Sequence, residues 1–167
     1  SKHAKAFASL AMPEAKEIAS LSGVDVDPYE SPICLGCHTT ASNTENWERD
    51  DVFYFQDGIQ CEFCHGPGSE YMEDDIMRSP ELAMKEGLKM PDENFCMVCH
   101  MEKGSHLAVL QVKKFNYAEA QKEIGHIGRG GIIPEKKPAA DALLDGPKYV
   151  GVMACAPCHQ SAMRGYA

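Results

Sequence analysis

The chain has 167 residues, a formal net charge of −9 with histidine neutral, and 44% hydrophobic residues. That length suits a single domain spanning 1–167, with two small lobes as the upper limit. The acidic balance argues against nucleic acid as a partner, and the short apolar runs exclude a membrane span.

In chain order, residues 3–11 read His-Ala-Lys-Ala-Phe-Ala-Ser-Leu-Ala, good helix formers, and Pro13 opens a second helix over 13–20. Residues 23–32 are turn-like. The stretches 52–55 and 59–63 flank Asp57-Gly58 and predict a short hairpin. Gly66-Pro67-Gly68 imposes an irregular loop, and Asp92 is the expected N-cap of a further helix. Asn116 is the expected cap of a helix over Tyr117–Ile124, which Gly125 would end. Residues 128–148 hold four Gly and three Pro and read as an ordered loop or arm. A short helix is expected near the C-terminus.

Onto this frame the chain writes one pattern four times: Cys34-x-x-Cys37-His38, Cys61-x-x-Cys64-His65, Cys96-x-x-Cys99-His100 and Cys155-x-x-Cys158-His159. All eight cysteines are used. Structural zinc also takes paired cysteines but needs no histidine after every second one. With seven histidines in the chain, four such adjacencies arise by chance on the order of a few times in a million, against the haem signature as template. A disulfide framework explains neither the spacing nor the histidines. Iron–sulfur ligation needs clustered cysteines, whereas these pairs begin 27 to 59 residues apart. The pattern is the attachment signature of c-type haem: two thiols add to the porphyrin vinyl groups, and the adjacent imidazole is presented to the iron.

Four haem c groups leave about 42 residues each, too little protein to build an independent core. The haems would then form much of the apolar interior, and folding would be inseparable from haem binding. The fold class expected is mainly α with extensive loops and little strand, a multihaem cytochrome c fold organised around four covalently bound haems. Ser1 opens the chain without a basic, apolar and small-residue leader, which reads as a processed chain. Covalent haem of this type implies export, to the periplasm or the cell exterior.

Axial ligands can be counted. His38, His65, His100 and His159 come from the motifs, leaving His3, His106 and His126 as distal candidates. Three imidazoles cannot complete four bis-histidine irons, and exchange between identical subunits changes nothing. At least one iron is therefore five-coordinate or takes another ligand, such as a methionine or Tyr71. Most methionines are better read as packing residues.

Several runs resemble the cytochrome c-554 family of tetrahaem electron carriers: His3-Ala-Lys-Ala, Cys34-Leu-Gly-Cys-His, Cys61-Glu-Phe-Cys-His-Gly-Pro-Gly and Cys96-Met-Val-Cys-His. The resemblance covers roughly residues 1–126. It implies distal ligation by His3 and suggests it for His126. It also implies a five-coordinate iron at the motif like Cys34–His38, and haems in close parallel and perpendicular pairs. The sequence departs from the family in two ways. Where the family has a distal histidine soon after Gly-Pro-Gly, this chain runs through Gly68-Ser69-Glu70 to Tyr71. The family's opening haem motif precedes His-Ala-Lys-Ala, whereas here Cys155–His159 stands at the other end, so the order looks circularly permuted. Close termini in one monomer, a head-to-tail homopolymer, or a cut tandem repeat would each explain this.

The function expected is electron transfer through closely packed haems, by a periplasmic or extracellular carrier with redox partner proteins, basic ones fitting the charge best. Two alternatives stand beside it: the repeating subunit of an extracellular cytochrome filament, and a small-molecule reductase acting on nitric oxide or nitrite at a five-coordinate haem. No nucleophile–base set, phosphate loop or nicotinamide fingerprint accompanies the motifs. Catalysis is therefore the less favoured reading.

Overall fold

The computed structural model describes residues 2–124 and 146–166. Its elements are short helices joined by irregular chain. A 3-10 turn, His3–Lys5, leads into α1 (Ala6–Ser9), and α2 (Pro13–Leu21) and α3 (Pro32–His38) each begin on a proline. Proline suits a first helical turn because its missing N–H would have no partner there. Then come α4 (Cys61–His65), α5 (Asp74–Met77), α6 (Pro80–Lys85), α7 (Glu93–His100) and α8 (Gly104–Val109). They are followed by α9 (Tyr117–Ile124), α10 (Val152–Cys155) and α11 (Gln160–Tyr166). The mainly helical class is as expected. The Asp92 carboxylate caps α7 by accepting from the Phe95 N–H at 2.8 Å, and the Asn116 side chain accepts from the Glu119 N–H at 3.1 Å.

The predicted hairpin across Asp57-Gly58 does not form. Residues 55–57 make a 3-10 turn instead, and Gly58 follows at φ 69°. The competing partners are distant in sequence: the Ile59 N–H donates to the His3 carbonyl at 3.0 Å, and the Thr40 N–H donates to the Gly58 carbonyl at 3.0 Å. Among the described residues the single β-bridge pairs Arg49 with Tyr149, in parallel. Nor does the last motif ride on one helix. Cys155 closes α10, Cys158 lies in a turn, and His159 precedes α11. Of the expected arm over 128–148, only 146–148 lie within the described residues, and His126 lies outside them.

The two ends of the described chain meet. The Tyr166 hydroxyl donates to the Asp57 carbonyl, one turn away from the Ile59–His3 bond. The segment after the fourth motif thus reaches the neighbourhood of His3 within one molecule, as close termini in a monomer would require.

The core is small. Leu10, Phe53, Ile59, Tyr71, Val150 and Val152 are buried together with three alanines, while Ile33 is 72% and Met153 66% exposed. Met12, Met90, Met97 and Met101 are exposed too, so these four methionines do not pack a protein core.

Candidate haem centre

The first three attachment motifs are held by contacts from elsewhere. In the first, the His38 Nδ1–H donates to the Ala6 carbonyl at 2.8 Å and lies 3.2 Å from Ser9 Oγ. In the second, the His65 Nδ1–H donates to the Lys89 carbonyl at 2.7 Å, and the Lys89 N–H returns a bond to the His65 carbonyl at 2.9 Å. A histidine whose Nδ1 proton is held by a carbonyl presents Nε2 as its ligand atom. In the third, the His100 ring stacks on Phe115 at 4.3 Å between centres and 17° between planes.

Two of the three spare histidines, His3 and His106, are brought to motif histidines. His3 and His100 have ring centres 6.0 Å apart, and His38 and His106 have theirs 6.5 Å apart. Two imidazoles facing across one metal ion, with nitrogen–metal bonds of about 2 Å, have ring centres about 6 Å apart. Burial, the largest cause, lowers the pKa of His3, His100 and His106, which favours the neutral imidazole that a metal needs. His106 thus stands opposite the motif whose iron the family resemblance leaves five-coordinate.

The four attachment sites are neighbours in the order first, third, second, fourth. Lys103, just after the third motif, points its Nζ at Cys37 Sγ of the first at 3.9 Å. Phe63 of the second motif meets Phe95, which precedes the third, edge to face at 5.7 Å. α10, which ends on Cys155, is packed against α4, which begins on Cys61. Burial pushes Cys64 up to about 11 and Cys99 up to about 12.

The second motif carries a feature that its spelling does not disclose. Glu62, between the cysteines, is 1% exposed. Its Oε1 accepts from the Gly68 N–H at 2.7 Å and the Val150 N–H at 2.8 Å, and its Oε2 accepts from the Gly151 N–H at 2.7 Å. Beside it the Gln60 Oε1 accepts from the Val152 N–H at 2.8 Å, and the Gln60 amide donates to the Tyr54 carbonyl at 2.9 Å. These two side chains bolt the segment before the fourth motif onto the second. Tyr71, weighed above as an iron ligand, is buried and donates its hydroxyl to the Gly66 carbonyl at 2.7 Å. It locks the loop behind His65 instead.

Haem fits these residues. Each motif supplies two thiols and an imidazole, two of those imidazoles have a second histidine ring 6.0 and 6.5 Å away, and large apolar side chains are left exposed for a porphyrin face to cover. Paired thiols, each followed by an imidazole, are the donor set of a c-type cytochrome. Residues 1–66 match the family model described as cytochrome c554 and c-prime, so over this stretch, which holds His3 and the first two motifs, the chain is similar to that family. No curated protein and no solved structure matches the chain. The family match implies covalently bound haem c and supports a haem-based electron-transfer role, and cytochromes of this class are typically exported. Among the described residues no helix is long and apolar enough to cross a membrane.

Proposed function

We propose that the chain binds four haem c groups and carries electrons through them in the order first, third, second, fourth motif, as an exported carrier. In this reading His3 and His100 ligate the third iron, and His38 and His106 the first. His126 alone then remains for the second and fourth irons, so one of these takes no second histidine from this chain. That iron is the place where a small molecule such as nitric oxide would bind.

The observation that carries the reading is the pair of imidazole separations, 6.0 and 6.5 Å, each joining a motif histidine to a histidine outside any motif. The contacts Lys103–Cys37, Phe63–Phe95 and α4–α10 support the order. Electron paramagnetic resonance of the oxidised holoprotein tests it. His3→Ala and His106→Ala should each convert one low-spin haem to high spin without loss of haem mass. A spectrum unchanged by either substitution would overturn the corresponding pair.

The close approach of Tyr166 and His3 around residues 57–59 favours the composite of the permuted chain being completed within one molecule, rather than between subunits of a filament. Sizing of the holoprotein is the check: a monomer at micromolar concentration fits, and an indefinite polymer does not.

A further inference from the structure

We infer that Ser9 is a positioning residue that tunes the first haem, and that residues 2–22 set two haem sites at once. The inference rests on the ligand pairing proposed above.

Residues 2–22 touch both sites at three points. His3 faces His100 across the third site. Three residues on, the Ala6 carbonyl takes the Nδ1 proton of His38 at the first site. Beyond the turn, α2 is packed against α8, and the Ser22 hydroxyl donates to Ser105 Oγ at 2.9 Å, next to His106. The same segment thus supplies a distal ligand to the third iron, the acceptor for the proximal ligand of the first, and the support for the distal ligand of the first. In return α7 and α8, the segment that carries His100, place His106 opposite His38.

Ser9 adds a competing bond. Its hydroxyl donates to the Ala6 carbonyl at 2.7 Å, the oxygen that also accepts from His38 at 2.8 Å. Two donors share one acceptor, so each bond is weaker than it would be alone. Ser9 Oγ itself, 3.2 Å from Nδ1, is at the outer edge of hydrogen-bond range and does not replace what the shorter bond to the carbonyl loses. A weaker bond to Nδ1–H leaves the imidazole less anionic and a poorer donor to ferric iron. The hydroxyl therefore raises the potential of the first haem. Removing it gives the whole carbonyl to His38, strengthens the donor and favours the ferric state.

Spectroelectrochemistry of the holoprotein, with the spin states followed by paramagnetic resonance, reads this directly. In Ser9→Ala one midpoint should move to more negative potential while the other three stay, with all low-spin signals retained. Alanine is the better helix former, so α1 is not put at risk. Ser9→Thr keeps the hydroxyl and should return the midpoint to its wild-type value. In His3→Ala the third haem should become high spin and the midpoint of the first should shift as well, because the segment holding Ala6 loses its side-chain tie to the third site while keeping the backbone bond from Ile59. Four unmoved midpoints in Ser9→Ala, or a common drift of all four, would overturn the role of Ser9. An unmoved first midpoint in His3→Ala would overturn the coupling. His106→Ala keeps the two levels apart. A high-spin signal there without a Ser9 effect removes the tuning alone, whereas no high-spin signal removes the pairing beneath it.

Discussion

Gly58 shows how one residue fixes a ligand far away in sequence. Its φ is +69°, and a Cβ there would lie 2.6 Å from the His3 carbonyl oxygen and 3.0 Å from that of Ala4. Neither oxygen is the end of a flexible side chain, so the backbone under His3 would have to move. Gly58→Ala should cost about 1–3 kcal/mol and add a high-spin component at the third haem. A melting curve and a paramagnetic resonance spectrum of the same sample check both parts, and a wild-type spectrum would show that His3 does not need this contact. In the sequence Asp57-Gly58 reads as a hairpin turn, because local chemistry cannot disclose that the glycine abuts a carbonyl 55 positions earlier. The histidines divide in the same way. The four motif histidines are legible from their neighbours, but the partners of His38 and His100 depend on packing between segments that no spacing encodes. The acceptors that orient the motif rings, the carbonyls of Ala6 and Lys89, have no side-chain signature at all.

At the scale of elements, the fourth motif is placed by the second. Residues 148–150 run along the chain at 48–50 and 69: the Tyr149 N–H donates to the Glu48 carbonyl at 2.8 Å, and the Lys148 N–H to Ser69 Oγ at 2.7 Å. Glu62 and Gln60 complete the joint. Burial pushes the Glu62 carboxyl above its ordinary range, while the three N–H groups pull the other way. Glu62→Gln replaces an acceptor with an NH2 group facing backbone donors. Leaving one such donor unpaired costs about 1–3 kcal/mol, a fall in melting temperature of roughly 2–4 °C for each kcal/mol at this chain length. Thermal denaturation followed in the Soret band measures it, and an unshifted midpoint would mean that the three bonds are not structural. The helix caps Asp92 and Asn116 were legible because capping is local. The bridge between residues 49 and 149 was not, since its two halves stand 100 positions apart and neither alternates as a strand should.

Across the whole molecule, the distribution of apolar side chains decides what holds the fold together. Ile33, Val98 and Met153, each within or beside an attachment motif, are 72%, 58% and 66% exposed, while among the described residues the buried apolar set is half a dozen larger side chains and three alanines. Burying a side chain such as Ile or Met contributes roughly 1.5–3 kcal/mol, and ordering each residue costs about 1–2 kcal/mol. So small a polypeptide core cannot offset that cost across the chain. In the reading proposed above, haem faces supply the surface that these side chains and motifs cover. The polypeptide produced without haem attachment should therefore be unfolded, with far-ultraviolet circular dichroism of a disordered chain and no cooperative melting transition. The holoprotein should show helix and a sharp transition. A haem-free chain that is helical and melts cooperatively would mean that the elements described above stand on protein contacts alone. The porphyrins would then be passengers on the fold rather than its interior.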